Sequence, residues 1–202
     1  MRQAVVFQAA GMLLSYPDEE LLARLDLVES AVEEVGQGHY FHPTLAHLRS
    51  APLMELQAFH VQEFDLSRRH ALHLTYWTDG DTRRRGEVLA AIKQTYRDSG
   101  LLVDLAGELP DFLPMVLEFA ATGSPELGVA LLNAYRASLE LLRIGLAEDK
   151  LPQEGVVAAV CQQLGGPSPK TRAEVRDLLA GPPVETVGLD HTPLPYPIFQ
   201  GS

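Results

Sequence analysis

Two stretches of this chain carry side chains that could do chemistry. The first runs from Val61 to Gly86. It holds Arg68, Arg69, Arg83, Arg84 and Arg85, which are five of the sixteen lysines and arginines, together with His70, His73 and the only tryptophan, Trp77. The second, Glu108 to Pro114, reads ELPDFLP and sets two carboxylates three residues apart around a proline. Clustered guanidinium groups suit a phosphate, a nucleotide or an acidic partner. Paired carboxylates at the mouth of an apolar helix suit a basic peptide, or simply a helix cap.

Most enzyme chemistries find no support. The chain contains no GxxxxGK[ST] loop, no HExxH, no cysteine pair and no GxSxG. His70 and His73, three residues apart, would need further ligands such as Asp65 and Asp79 to hold a metal, and structural bonding is the better reading. Cys161 sits in an apolar helical pattern, where a buried, inert thiol is expected. Arg83, Arg84 and Arg85 oppose the dipole at a helix start, so nearby acids such as Asp79, Asp81 and Glu87 are expected to compensate them. Salt bridges that tie loops together are favoured over ligand binding. A phosphate- or nucleotide-binding helical protein using Arg83–Arg85 is the alternative.

The elements that must position these residues are helices. Pro17 to Glu20 opens a helix whose Leu21, Leu25, Val28, Val32 and Val35 form one apolar stripe as far as Gly36. Pro43 to Ser50 reads as a short helix, and Pro52 opens another that runs to about Phe64. Leu66 to Trp77 has no clean period. Asp81 is expected to cap a helix that turns Val88, Leu89, Ile92 and Tyr96 inward and stops at Ser99-Gly100. Asp111 is expected to cap the next helix, which is apolar nearly all round to Gly123 and therefore central. Ser124-Pro125-Glu126 starts a helix expected to continue to about Asp149, and two more follow over 153–164 and 170–180. The class is all-α, a single-domain helical bundle over residues 1–180. Beyond Gly181 come five of the fourteen prolines and no lysine or arginine, an extended or disordered tail over 181–202.

The chain has 202 residues, 46% of them hydrophobic, enough for one domain with a sizeable core. No run approaches a membrane span, the first residues read as a core helix rather than a cleaved leader, and a lone cysteine suits a cytoplasmic setting. A net charge of −11 argues against nucleic-acid binding and permits a basic partner.

With those residues in view, a resemblance emerges. Phe64-Asp65-x-x-Arg68-Arg69, Leu74-Thr75-Tyr76 and Gly80-Asp81-Thr82-Arg83-x-Arg85-Gly86 resemble the respiratory nitrate reductase assembly chaperones, also called nitrate reductase delta subunits. Leu14-Ser15-Tyr16-Pro17-Asp18, Lys93-x-x-Tyr96-Arg97, the ELPDFLP loop and Leu117-Glu118-Phe119-Ala120 match in order and spacing. Phe112 stands where that family often has a histidine, which leaves Asp111 as the polar residue of the loop and makes the groove mouth more apolar.

The resemblance implies the redox-enzyme maturation fold, no catalysis and no cofactor of the chain's own, the molybdenum cofactor belonging to the client. It implies as partners the N-terminal segment and apoenzyme of the nitrate reductase alpha subunit, with cofactor-synthesis proteins as further candidates and without nucleic acid or membrane insertion. The apoenzyme would be held for cofactor insertion and kept from docking at the membrane. On that reading Glu108, Asp111 and Glu118 are acidic contacts or loop organisers, and Phe112, Leu113 and Phe119 form the groove wall. Tyr76 and Trp77 belong to the same surface, and Asp65, Arg69, Asp81, Arg83 and Arg85 organise the central loop. Other readings are a helical nucleic-acid regulator and a structural subunit retained in the mature enzyme.

Overall fold

The computed structural model describes residues 1–79, 83–105 and 107–180. Among them there is no strand, and the helices pack around one main core, with a small second cluster of Ala137, Ile144 and Val175. The apolar segment at the start forms α1 (Arg2–Leu14), with Val6, Phe7, Ala10 and Leu14 fully enclosed. Asp18 caps α2 (Glu19–Ala23), accepting a hydrogen bond from the Leu21 amide at 2.7 Å.

The single helix expected from Leu21 to Val35 is two, because the chain kinks at Arg24 before α3 (Leu25–Glu34). The stripe survives the kink: Leu21, Leu25, Val28 and Val32 are all buried. The helix expected from Pro43 begins earlier, as α4 (Gly38–Arg49), so Pro43 lies inside it. Next comes α5 (Leu53–His60), which widens into a π turn over Val61–Asp65. After the aperiodic loop come α6 (Tyr76–Asp79) and α7 (Arg83–Asp98), closed by Gly100 at φ 75°. Ile92 and Tyr96 of α7 are buried.

The central helix is α8 (Leu113–Glu118), also extended by a π turn, Phe119–Gly123. It packs on α1, and Leu113, Val116 and Leu117 have no exposed surface. The long helix expected after Ser124 divides at Tyr135 into α9 (Pro125–Ala134) and α10 (Arg136–Glu148). Last come α11 (Glu154–Leu164) and α12 (Arg172–Ala180). The tail expected over 181–202 lies outside the described residues, as do Asp81 and its expected cap.

Close approach of α11 to α4 depends on Gly155. A Cβ built there would stand 2.1 Å from the Tyr40 carbonyl oxygen. Backbone atoms cannot swing aside as a side-chain tip can, so Gly155→Ala must part the two helices. A loss of roughly 2 kcal/mol in urea unfolding is expected, an overpacking cost.

Candidate functional site

The two chemically suggestive stretches are stitched together in space. His73 and Phe112 form an isolated antiparallel bridge, with the Leu74 amide donating to the Asp111 carbonyl at 3.1 Å and the Leu113 amide to the Leu72 carbonyl at 2.8 Å. Asp111 lies beneath this bridge with no exposed surface. Its carboxylate accepts from the Thr75 amide at 3.0 Å, from the Thr75 hydroxyl at 2.6 Å and from the His73 ring at 3.2 Å. Arg85 donates from Nε to the Thr75 hydroxyl at 3.0 Å, and its Nη2 stands 3.9 Å from Asp111. Tyr96 of α7 donates its hydroxyl to the Pro110 carbonyl at 2.7 Å and stacks edge-on against Phe119. Burial, with Asp111 nearby, pushes the Tyr96 phenol well above its ordinary range, so it remains a donor.

Asp111 thus ties the 73–75 segment to the loop that precedes α8. The helix cap expected of it is not made: Phe112 occupies the cap position of α8 without a side-chain bond. Leu113 is likewise in the core and offers no surface to a peptide. Glu108 and Glu118, by contrast, are exposed.

Two depressions flank this junction, and Phe112 lines both. On one side, a cavity of about 400 Å³ is bordered by Asp104, Glu108 and Glu118 over Gly11, Met12 and Met115. It shares Gln8, Met12 and Arg24 with an apolar groove of about 480 Å³ between α1 and α3, floored by Val5, Ala9 and Val28 and flanked by Leu27. Leu27 is 69% exposed although apolar. A third hollow shares Asp104, Met115 and Glu118 and reaches Phe119, Leu101 and Leu102, so the three adjoin one another and are together called the trough. Where the first two meet, Gln8 Oε1 is enclosed and has no hydrogen-bond partner. Arg24, exposed at the rim, pairs with Glu20.

On the other side lies a cleft of about 420 Å³ lined by Phe64, Asp65, Arg68, His73, Tyr76 and Arg85, among others. Tyr76 thus belongs to this cleft and not to the trough. Trp77, half-buried beside it, donates its indole N–H to the Ala71 carbonyl at 3.0 Å. Asp65 is exposed at the cleft edge, and Arg69 pairs with Asp149 at 3.0 Å and Glu148 at 3.4 Å. The partners of Arg69 are thus remote in sequence, and Arg85 reaches Thr75 and approaches Asp111, while Asp81, one of the nearby acids expected for the arginines, lies outside the described residues. The Arg83 side chain lies outside the described residues.

The histidines divide as well. His70 is 2% exposed, with its ring at 2.9 Å from Asp149 and 3.2 Å from the Glu63 carbonyl, while His73 faces Asp111. Among the described residues no group of three or more His, Cys, Asp or Glu is placed to hold a metal ion. Cys161 is fully enclosed, and burial pushes its thiol far up.

The sequence reading missed a buried ion network. Glu140 of α10 has no exposed surface and binds Arg136, Arg143 and Ser168. Its only sequence signal is the four- and three-residue spacing of opposite charges on one helix face. It also missed the trough floor from α1 and α3.

Residues 28–149 match the family model for the nitrate reductase delta subunit. The nitrate reductase-like protein NarX of Mycobacterium tuberculosis is 44% identical over 165 residues, 78% of this chain but 24% of NarX, so this chain spans about a quarter of that relative. The "Probable nitrate reductase molybdenum cofactor assembly chaperone NarJ" of Bacillus subtilis is 34% identical over 144 residues, covering 68% of this chain and 76% of that protein. In fold, the chain matches a crystal structure assigned as a redox enzyme maturation protein from Archaeoglobus fulgidus, with a TM-score of 0.61 and 21% identity over 81% of this chain and 93% of the other. The all-helical architecture is the one shared with that structure, and by sequence this chain belongs to the nitrate reductase delta subunit family.

Proposed function

We propose that this chain is an assembly chaperone of nitrate reductase that grips the N-terminal segment of the catalytic alpha subunit in the trough between α1, α3 and α8. It holds the apoenzyme open for molybdenum cofactor insertion and delays its docking at the membrane. The reading is supported by kinship with a protein named as such a chaperone. One observation carries the location: an apolar groove between α1 and α3 adjoins, through Gln8, Met12 and Arg24, a cavity bordered by Asp104, Glu108 and Glu118.

An amphipathic helix fits such a surface. Its apolar face covers Val5, Ala9 and Leu27, and its lysines or arginines meet the rim. Apolar burial supplies most of the affinity, while the charges guide encounter and register.

Calorimetric titration with the client's N-terminal peptide tests this. Glu108→Ala/Glu118→Ala should weaken binding and flatten its salt dependence, since both side chains are exposed and neither supports the fold. Leu27→Asp should weaken it by at least about tenfold, the equivalent of losing one buried leucine. Undiminished affinity in both variants rejects the trough. In cells lacking the chain, nitrate reductase should accumulate without molybdenum.

A further inference from the structure

The groove between α1 and α3 has two ends that differ in charge. Its α1 wall runs from Ala4 and Val5 through Gln8 to Met12. The adjoining cavity takes over at Gln8 and continues through Gly11 and Met12 to Ser15. The two hollows thus follow one another along α1, from its start toward its end. Arg24, shared by both, marks the cavity end on the α3 side, and Ala31 marks the far end.

Charge is segregated along that line. Among the described residues lining the groove there is no carboxylate, and Arg24 is the charged one. At the cavity end stand Asp104, Glu108 and Glu118. Arg24 is the cation there, and Glu20 is already paired with it, so that end is negative. The far end has Arg2 at the start of α1 and Glu34 at the end of α3, one charge of each sign. The surface therefore passes from near neutral to negative between Ala4 and Met12, about 12 Å of helix.

A helix lying in the groove meets that gradient with unlike ends. Its first turn presents unpaired N–H groups and a positive partial charge, and its last turn presents carbonyls and a negative one. An N-terminal segment adds its free α-ammonium to the first turn. Resting on the assignment of this groove to the client's N-terminal segment, we propose that the segment binds in one orientation, antiparallel to α1. Its first turn lies at Glu108 and Glu118, and its last turn lies by Ala4 and Ala31. The reverse orientation would set its carbonyl end against the three carboxylates.

The path from Ser15 back to Ala4 is roughly 16 Å, about three turns of helix, so the client chain leaves the groove beside the first turn of α1. Gln3 of that turn donates to the Gln163 carbonyl near the end of α11 at 3.0 Å. This end of the bundle, built from α1, α3 and α11, faces the body of the client.

Cys161 is enclosed, so one introduced cysteine can be cross-linked alone. Ser15→Cys and Ala31→Cys of the full chain place it at the two ends of the path. The probe is a synthetic peptide of the client's N-terminus, roughly twelve residues to match the path, with a cysteine at its first or its last position. The first-position peptide should form a disulfide with Ser15→Cys about tenfold more than with Ala31→Cys, and the last-position peptide the reverse, because effective concentration collapses where the ends cannot meet. Acetylating the α-amine of the unmodified peptide should weaken calorimetric binding about three- to tenfold, and Glu108→Gln/Glu118→Gln should abolish that difference. Equal or inverted cross-linking yields overturn the orientation while the trough stands. So does an acetylation effect that is absent, or that persists in the double variant. Affinity undiminished by both Leu27→Asp and Glu108→Ala/Glu118→Ala removes the trough itself, and the orientation with it.

Discussion

Glu140→Ala is expected to lower the unfolding free energy by about 3–5 kcal/mol, the cost of leaving buried charges without their partner. The carboxylate is fully enclosed on α10. Arg136 reaches one oxygen at 3.0 and 2.8 Å, Arg143 reaches the other at 2.8 Å, and the Ser168 hydroxyl donates at 2.8 Å. The same guanidinium groups donate onward to the Gly165 carbonyl, at 2.7 Å, and to the Pro169 carbonyl. Glu140 thus fixes two arginines that fasten the link from α11 to α12. Truncating it strands Arg136, leaves Arg143 with only the more distant Glu154 at 3.7 Å, and loosens that link, which should appear as a drop of roughly 6–20 °C in Tm.

The charge state adds a second readout. Burial raises the Glu140 pKa, but hydrogen bonds from Arg143, Ser168 and Arg136 outweigh it and hold the group below its ordinary value. The unfolded chain therefore takes up the proton first as the pH falls. The stabilisation is full above about pH 4.3, the ordinary glutamate value, and is lost as the pH drops through the depressed folded value. The gap between wild type and Glu140→Ala in urea unfolding should narrow in acid. A gap that is small at pH 7, or constant with pH, contradicts the network's role.

The helices were legible in the sequence because a stripe is a local property. Leu21, Leu25, Val28 and Val32 are buried as the spacing requires, even though the chain kinks at Arg24. The kinks at Arg24 and Tyr135 were not legible, since each falls between apolar positions that stay in step and neither residue breaks helices by type. The same limit governs the site. Glu108 and Glu118 could be named from a motif, whereas the cavity they border is completed by Gln8, Gly11 and Met12, more than ninety residues away. Periodicity says which face of α1 is apolar. It does not say which part of that face lacks a helix above it. Asp111 looked like a cap because capping is the local use for an aspartate before an apolar helix. Its real partner, Thr75, is thirty-six residues upstream.

That displacement makes Asp111→Ala the other variant of large effect. The Thr75 amide and hydroxyl and the His73 ring lose a charged acceptor inside the protein, Thr75 has no exposure to recruit water, and Arg85 loses a carboxylate 3.9 Å away. A loss of about 2–4 kcal/mol is expected, with faster hydrogen exchange confined at first to the Leu74 and Leu113 amides of the bridge. Asp111→Asn keeps the shape and one acceptor, so its cost should fall between wild type and Ala.

The acid limb has the same sign as that of Glu140. Burial raises the Asp111 pKa, but the hydrogen bonds from His73 and Thr75 overcome it, so the folded value is depressed. The contribution is complete above about pH 4 and disappears as the pH falls through that lower value, a limb the Ala variant should lack. Glu118→Ala is the contrasting case. Its side chain is exposed, so stability should stay within about 0.5 kcal/mol of wild type while peptide affinity falls. Asp111→Ala should lose both together, because the rim can be no better fixed than the loop that presents Glu108. An Asp111→Ala protein that keeps its full stability yet no longer binds peptide would place the carboxylate against the client and remove it from the interior of the loop.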